Sequence, residues 1–413
     1  MSKETYTYCI PLIFANGNDY AVSLTEKYEM EEKNILTNLP VDVLERIMKR
    51  LPLKDYLRLR AICRSCRETV SNIIENKHCS PLPELPSLTT KSLHYLRTSL
   101  LNDDICIGSI EGWLIVCDNF GKGFAKFFFL NPVTNVRITI PSKLQFPSSA
   151  QYDGILPVKK MVASSKPNCD GSDCYLVCLL TDCCHIAIYK LFDKEWTIVE
   201  SDKDSATNFT DIEIISTKLY VTNSSSNSIL VYDLKDSTNG PPKAEVLGEF
   251  PRRPAGLSVY SGFLAKDKTL RELYFISMFY NGEIETQQHV SDRFKVISAF
   301  SKPPQVTSFE VFKLDANKSP IGWQNVKLED RVAFLSNWNS MVMTRDELNY
   351  SEELVRGNSV YFAITFPCPR LNPPLSLEFG MFCLNGSCII YLPKETLQHG
   401  DVPYPLWFVP SLW

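Results

Sequence analysis

Apolar residues recur at helical spacing in one stretch near the start of the chain, residues 38–70. The periodic positions are Leu39, Val43, Leu44, Ile47, Met48 and Leu51. Steps of three and four residues place these side chains on one face of a helix. Pro40 suits the first helical turn and Pro52 ends the helix, because proline has no N–H to donate. Two further short helices are predicted, and so small a unit buries too little apolar surface to be stable by itself.

From residue 101 onwards the helical period gives way to short apolar strands. One strand recurs as the middle strand of a repeating unit, at Phe127–Asn131, Ile188–Phe192, Val231–Lys235, Val311–Asp315 and Met381–Asn385. A strand precedes most copies, at Trp113–Cys117, Tyr175–Leu180, Leu219–Thr222 and Val360–Phe366. Another follows most copies, at Arg137–Ile140, Trp196–Val199, Trp323–Leu328 and Cys388–Leu392.

The spacing of the copies favours a β-propeller. Leu191 and Leu234 are 43 residues apart, and Leu234 and Leu314 are 80 apart, close to twice that interval. Units of about forty residues with three or four strands are typical of propeller blades, and residues 101–413 have room for about six or seven. Two stacked β-sandwiches are the alternative all-β arrangement. Helical spacing within this region is confined to Asp346–Leu354, which excludes an α/β fold, because that class needs helices between its strands.

The predicted fold class is therefore multi-domain, with a small α-helical unit joined to an all-β domain. Residues 1–34 are an N-terminal extension, and residues 35–76 hold the helical unit. Residues 77–100 are a proline-rich linker, which favours an extended, semi-rigid chain. Residues 101–413 form the β domain. The loops 141–173 and 281–302 show no recognisable motif.

The helical unit resembles an F-box, the module that docks onto the Skp adaptor of a cullin–RING ubiquitin ligase. The resemblance rests on the Leu39-Pro40 pair, the Leu51-Pro52-Leu53 turn and the Leu59…Cys63-Arg64 tail. It implies that one set of residues is shared between the adaptor-docking face and the core of the unit. These are Leu39, Pro40, Val43, Leu44, Ile47, Leu51, Pro52, Leu53 and Leu57.

The β domain is similar to the C-terminal β-propeller of a large plant F-box family, long labelled a domain of unknown function. The similarity is carried by the segments Gly112-Trp113-Leu114, Leu130-Asn131-Pro132-Val133-Thr134, 322–366 and the terminus Pro405–Trp413. Where that family usually has glycine, this chain has Ser336, and the added Cβ is expected to disturb a tight turn. The resemblance implies a non-catalytic receptor whose propeller binds an unknown substrate protein for ubiquitination.

Charge and cysteine content limit the partners and the compartment. A net charge of -4 and an isoelectric point of about 5.9 argue against a nucleic-acid partner. No apolar run approaches the roughly eighteen residues of a membrane span, so no membrane partner is expected. The 14 cysteines come without a secretory signal pattern at the start of the sequence. They predict free thiols in a reducing compartment, the nucleus and/or the cytoplasm.

The densest set of metal-ligating residues is Cys169, Cys174, Cys178, Cys183, Cys184 and His185. Cys174 and Cys178 share one face of a predicted strand, about 13 Å apart, too far to chelate one ion together. We therefore expect core thiols rather than a zinc site, no cofactor, and no catalytic motif. Two alternatives stay open: a propeller that regulates a partner without ubiquitination, and an enzyme with acidic or histidine residues converging in a central channel.

Overall fold

A computed structural model describes part of the chain, in which it contains 24 β-strands and one helix. The described residues are 104–121, 124–132, 136–141, 143–146, 158–167, 174–200, 208–235, 241–249, 251, 259–267, 269–282, 284–285, 299–300, 302–315, 322–348, 355–367, 375–386, 388–391 and 406–407. The F-box-like unit, the linker and the residues before them lie outside this set. No helix within it is long and apolar enough to cross a membrane.

The first sheet follows chain order, as consecutive antiparallel strands. Its strands are β1 Ile105–Ile110, β2 Trp113–Gly121, β3 Phe124–Asn131, β4 Val136–Thr139 and β5 Leu144–Gln145. The strands pair in the order β1-β2-β3-β4, and β5 pairs with β3. The Phe127-Phe128-Phe129 run is buried on both faces of β3, so this sheet is packed on both sides.

The second and third sheets repeat the same antiparallel plan with four strands each. The second sheet contains β6 Val158–Ala163, β7 Tyr175–Leu180, β8 His185–Lys190 and β9 Thr197–Glu200. The third contains β10 Phe209–Ile215, β11 Lys218–Asn223, β12 Ser228–Asp233 and β13 Glu245–Glu249. In both sheets the order along the sheet is the order along the chain.

A nine-stranded sheet takes up most of the remaining described residues. Its strands are β14 Val259–Asp267, β15 Glu272–Asn281, β18 Gln305–Asp315, β19 Gly322–Asn325, β20 Arg331–Ser336, β21 Ser340–Thr344, β22 Ser359–Pro367, β23 Leu375–Cys383 and β24 Cys388–Tyr391. The hairpin β20–β21 joins two halves, because β21 pairs in parallel with β14 and β20 pairs in parallel with β22. A separate hairpin is formed by β16 Ile284–Glu285 and β17 Ala299–Phe300, and the helix α1 spans Arg345–Leu348.

The sheets meet through their first strands, which makes the domain propeller-like. Strand β1 contacts β6, β6 contacts β10, β10 contacts β14, and β14 pairs with β21. The approach of β1 to β6 is close, since a Cβ on Gly108 would lie 2.5 Å from the carbonyl oxygen of Met161. Glycine at this position is what allows the two inner strands to touch. We call β1, β6, β10, β14 and β21 the inner strands.

The hydrophobic core lies between neighbouring sheets. All six residues of β7 are buried, with alternate side chains on opposite faces. Leu176, Cys178 and Leu180 pack in the cluster shared with the first sheet. Tyr175, Val177 and Leu179 pack in the cluster shared with the third sheet. A strand buried on both faces has a nearly continuous apolar run in its sequence, as β7 does.

The predicted preceding, middle and following strands are all confirmed, with bounds that differ by up to six residues; β7 has the predicted bounds Tyr175–Leu180. The predicted surface helix Asp346–Leu354 begins in α1, Arg345–Leu348, and residues 349–354 are not described. The interpretation of the 80-residue interval is wrong: Leu234 and Leu314 belong to consecutive sheets, because β15 pairs directly with β18. Between these two strands the chain adds the β16–β17 hairpin. The blade number of about six or seven is not confirmed and stays a prediction.

The sequence reasoning missed the inner strands. Residues 141–173 and 281–302 were both interpreted as loops, and this interpretation is wrong, because the first range contains β6 and the second contains β16 and β17. Strands β1, β10 and β14 were also not predicted. Charged residues interrupt the apolar pattern of three of these strands, as Lys159 and Lys160 do in β6.

Candidate functional site

The nine residues predicted to dock on an adaptor all lie in residues 39–57, outside the described part of the chain. Their placement stays a prediction. What the structure does describe is a pocket in the β domain, and none of its lining residues was predicted from the sequence.

A cavity of about 420 Å³ opens where the inner strands meet. Its wall is formed by the end of β1 and the turn after it, by β6, β10, β14 and β21, and by α1. We call this cavity the central pocket. Its charged lining residues are Glu111, Lys166, Glu213, Lys266 and Glu347. Apolar surface comes from β1, β6 and β21, including three methionines, Met161, Met341 and Met343.

An ion pair between two inner strands forms part of the pocket wall. The Lys266 Nζ on β14 lies 3.0 Å from Glu213 Oε1 on β10. The same ammonium donates to the carbonyl oxygens of Ala163, at 3.3 Å, and Ile214, at 3.2 Å. Lys266 therefore has a partner for each of its three N–H groups, and it joins β6, β10 and β14.

A second ion pair joins the same three strands. Lys160 Nζ on β6 lies 2.7 Å from Asp211 Oδ1 on β10, and the two side chains are 4% and 6% exposed. The other carboxylate oxygen of Asp211 accepts the N–H of Leu264 on β14 at 2.7 Å. The charges are buried, paired and hydrogen-bonded, and removing one partner of such a pair is strongly destabilising.

A third pair extends this arrangement to the β20–β21 hairpin. Arg331 Nε on β20 lies 3.1 Å from Asp267 Oδ2 at the end of β14. The Asp267 Oδ1 accepts the N–H of Leu270 in the following turn at 3.0 Å. Three charge pairs thus bridge successive inner or adjoining strands from β6 to β20, and one of them, Lys266–Glu213, lines the pocket itself.

Trp407 connects two sheets beside the pocket through hydrogen bonds. The N–H of Trp407 donates to Asn339 Oδ1 at 3.0 Å, and its indole Nε1 donates to the carbonyl of Leu335 at 2.6 Å. The carbonyl of Trp407 accepts from Ser109 Oγ, at 2.9 Å, and from Asn339 Nδ2, at 2.6 Å. Since Ser109 lies in β1 and Asn339 precedes β21, residue 407 connects the first sheet to the nine-stranded sheet.

The expectation that Ser336 would disturb its turn is wrong. The Ser336 hydroxyl accepts the N–H groups of Trp338, at 3.3 Å, and Asn339, at 3.1 Å. It also lies 2.8 Å from Asn339 Oδ1 and 3.0 Å from the carbonyl of Asn339. The side chain therefore stabilises the tight turn, because it satisfies buried N–H groups that a glycine would leave to other partners.

The cysteine-rich segment divides into core and turn residues. Cys174 and Cys178 are free and buried, as predicted for core thiols, and burial raises the pKa of Cys178 well above its usual value. In the turn before β8, His185 Nδ1 lies 2.7 Å from Asp182 Oδ2, and Cys183 Sγ lies 3.4 Å from Lys159 Nζ. Among the described residues, which do not include Cys169, no three metal-ligating side chains converge.

Two polar groups of the central pocket stand apart from these bonded networks. The Lys166 ammonium has no hydrogen-bond or ion-pair partner among the described residues. Ser340 is 4% exposed, and its hydroxyl is buried without a partner in the same part of the chain. By contrast, Glu347 accepts hydrogen bonds from the N–H and hydroxyl of Thr344 and from Thr269. The pocket thus offers a cation to a ligand, beside an apolar wall, whereas the Ser340 hydroxyl is buried beneath the surface of that wall.

Comparison with protein families gives two matches in different parts of the chain. Residues 84–384 match the sequence profile of the family described as KIB1-4 beta-propeller. Residues 36–78 match the profile of the F-box domain. The second match includes all nine residues predicted to dock.

Similarity to individual proteins is weaker. The F-box protein At3g56470 of Arabidopsis thaliana is 27% identical over 125 residues, 28% of this chain, and the chain spans about a third of that relative's length, 33%. A functionally unknown protein from Desulfotomaculum acetoxidans is 11% identical, with 69% of this chain and 70% of that one covered and a TM-score of 0.34. The Cps50 (Swd1) beta-propeller domain of Myceliophteria thermophila is 10% identical, with 72% and 73% covered and a TM-score of 0.35. Structural likenesses at this level identify neither a fold nor a function.

Proposed function

Because the chain belongs to the KIB1-4 beta-propeller family and carries an F-box domain, we propose that it is the substrate-recognition subunit of an SCF-type cullin–RING ubiquitin ligase. The observation that carries the proposal is the presence of both domains in one chain. In this proposal the F-box docks on the Skp adaptor, and through it on a cullin. The propeller-like domain binds the protein to be ubiquitinated.

The chain contributes position rather than catalysis to this reaction. Holding a target beside a ubiquitin-charged enzyme raises the rate of transfer, because proximity and orientation replace a bimolecular encounter. The prolines of residues 77–100 favour a semi-rigid linker, which limits the distances that the two domains sample. A linker of suitable reach keeps the effective concentration of the target high. The proposed place of action is the nucleus and/or the cytoplasm.

The docking face is proposed to lie on the first predicted helix and the turn after it. Burial of one leucine or isoleucine of this face is worth roughly 1.5–3 kcal/mol. A carboxylate in its place would lose that contribution and add a desolvation penalty, because it would have no partner in an apolar interface. Ile47 and Leu51 are four residues apart, which places them on the same face of the predicted helix, so substituting both would remove the centre of the proposed face.

The test compares two double variants of the full chain. Ile47→Asp with Leu51→Asp should abolish binding to the Skp adaptor, measured by co-purification and by mass spectrometry of the bound proteins. Ile47→Val with Leu51→Met keeps the face apolar and should retain the adaptor. Unfolding of the β domain, followed by tryptophan fluorescence, should be the same in both variants.

Adaptor at wild-type yield in the Asp variant would overturn the proposed docking face. Recovery of other partners by the wild-type chain, with neither adaptor nor cullin among them, would favour the alternative of a propeller that regulates a partner without ubiquitination. Recovery of adaptor, cullin and a further protein would support the proposal. The further protein would then be the first candidate target.

A further inference from the structure

We propose that the central pocket binds a small organic molecule with an apolar body and a single anionic group, such as a carboxylate. This inference is independent of the F-box proposal, since it rests on the β domain alone. It is carried by the size and lining of the cavity and by the Lys166 ammonium, which has no hydrogen-bond or ion-pair partner among the described residues.

The cavity has the size and lining of a small-molecule site. Its volume of about 420 Å³ lies within the range of about 300–1,000 Å³ that is usual for ligand pockets. Such pockets combine mostly apolar walls with a small number of fixed polar groups. Here Met161, Met341 and Met343 supply apolar wall, and methionine adapts its shape to an irregular ligand.

The preference for an anion follows from the two lysines of the pocket. Lys266 already contacts Glu213 and two carbonyl oxygens, so it has no free N–H to offer. Lys166 has no such partner among the described residues, although it lines the same cavity. An ammonium in a pocket of limited solvent access attracts an oppositely charged group more strongly than one in bulk water.

The limit to a single negative charge comes from the glutamates. Glu111, Glu213 and Glu347 all line the cavity, and Glu213 shares an ion pair with Lys266. A ligand with two or more negative charges would meet the repulsion of the other carboxylates, because like charges at close range disfavour each other. A monoanion with an apolar body avoids most of this repulsion and uses both Lys166 and the methionine wall.

The experiment titrates the full chain with two fluorescent probes of the same ring system. The probe 8-anilinonaphthalene-1-sulfonate is a monoanion, and N-phenyl-1-naphthylamine is its neutral counterpart. The wild-type chain should bind the anionic probe saturably and with one site. Lys166→Gln should weaken that affinity by about tenfold, because a charge-assisted hydrogen bond is lost. The affinity for the neutral probe should change by less than about twofold, since the apolar wall is unaltered.

Two further variants separate the pocket from the rest of the surface. Lys166→Glu should abolish binding of the anionic probe, and Lys194→Gln, at an exposed turn position, should leave both affinities unchanged. Thermal unfolding of each variant checks that the β domain stays folded. Equal affinity of the anionic probe for the wild type and both Lys166 variants would overturn the proposal. Loss of both probes by a folded Lys166→Gln chain would also overturn it, because the ammonium would then serve the shape of the cavity and not an anion.

Discussion

The inner strands and the strands outside them differ in where their charges lie. On the inner strands, Lys160, Asp211 and Glu213 are buried, and each takes part in an ion pair with a neighbouring strand. In the nine-stranded sheet, outside the inner strands, the pair Lys313–Glu272 is partly exposed: the Lys313 side chain is 36% exposed and that of Glu272 is 22% exposed. Similar ion pairs thus stand in two different environments of one domain. The inner pairs connect sheets, while the outer pair connects two strands of the same sheet.

This difference indicates which residues contribute both to the stability of the β domain and to the proposed ligand binding in the central pocket. The inner strands form the wall of the central pocket. Substitution of residues that hold these strands together should therefore lower both the free energy of unfolding and the affinity of the pocket for a ligand. Outer residues stabilise single sheets and stand away from the pocket. The predictions below run from the largest expected loss of stability to the smallest, and each is measured by urea unfolding against the wild type or a control variant.

Trp407→Ala should have the largest effect. The indole is buried, packs against Phe334 at 5.0 Å between ring centroids, and donates to the carbonyl of Leu335. Removal of a buried tryptophan side chain is expected to lower the free energy of unfolding by about 4 kcal/mol. Trp407→Phe keeps most of the packing and loses the indole hydrogen bond, so about 1–2 kcal/mol is expected. Equal losses in the two variants would contradict the role given to packing.

Lys160→Met should cause the next largest loss of stability. The substitution leaves the buried Asp211 carboxylate without its cation, and about 3 kcal/mol of stability should be lost. The double variant Lys160→Met with Asp211→Asn removes the unpaired charge and keeps an acceptor for the N–H of Leu264. It should therefore be more stable than the single variant, and a double-mutant cycle gives the coupling energy. A double variant less stable than Lys160→Met would show that the charge of Asp211 is not the source of the loss.

The outer strands were predictable from the sequence and the inner strands were not, for the same physical reason. Strand β7 is buried on both faces and consists of six apolar or weakly polar residues, so its bounds could be read directly. In β6, by contrast, Lys159 and Lys160 break the apolar run, and Lys160 is buried because a carboxylate from the next sheet neutralises it. Pairing partners 51 residues apart leave no local signal in either strand.

The central pocket could not have been predicted for a related reason. Lys166 follows β6, Glu213 lies on β10 and Ser340 begins β21, and none belongs to a local motif. The hydrogen bonds of Ser336, by contrast, are local.

The Ser336 side chain bonds within its own turn, and a small polar residue three positions before Asn339 is a recognisable turn signal. Because the resembling family has glycine at this position, the sequence suggested a steric effect of the Ser336 Cβ and gave no indication of the hydrogen bonds of its hydroxyl.

Ser336→Gly should have an intermediate effect. The glycine would remove the acceptor of two buried N–H groups, those of Trp338 and Asn339, and would add backbone freedom to the unfolded chain. A loss of about 1–2 kcal/mol is expected. Ser336→Thr keeps the hydroxyl and serves as the control. A glycine variant as stable as the wild type would restore the view that the serine is merely tolerated.

Lys313→Met should have the smallest effect and a defined pH dependence. The ammonium contacts Glu272, whose other oxygen accepts from Tyr274 at 2.8 Å. A pair this exposed should contribute less than about 1 kcal/mol. Burial by itself raises the pKa of Glu272, but the hydrogen bonds from Lys313 and Tyr274 lower it more, so the pKa lies below its usual value of 4.5.

The sign of the pH effect follows from that lowered pKa. The unfolded chain binds a proton at Glu272 more readily than the folded chain, so the contribution of the pair is complete above pH 4.5. It is lost as the pH falls through the lowered pKa of the folded state. Unfolding of the wild type and Lys313→Met should therefore differ slightly at pH 7 and converge when the pH is brought well below 4.5. A difference that persists unchanged in acid would mean that Lys313 acts through its aliphatic stem and not through its charge, since such stems also bury apolar surface.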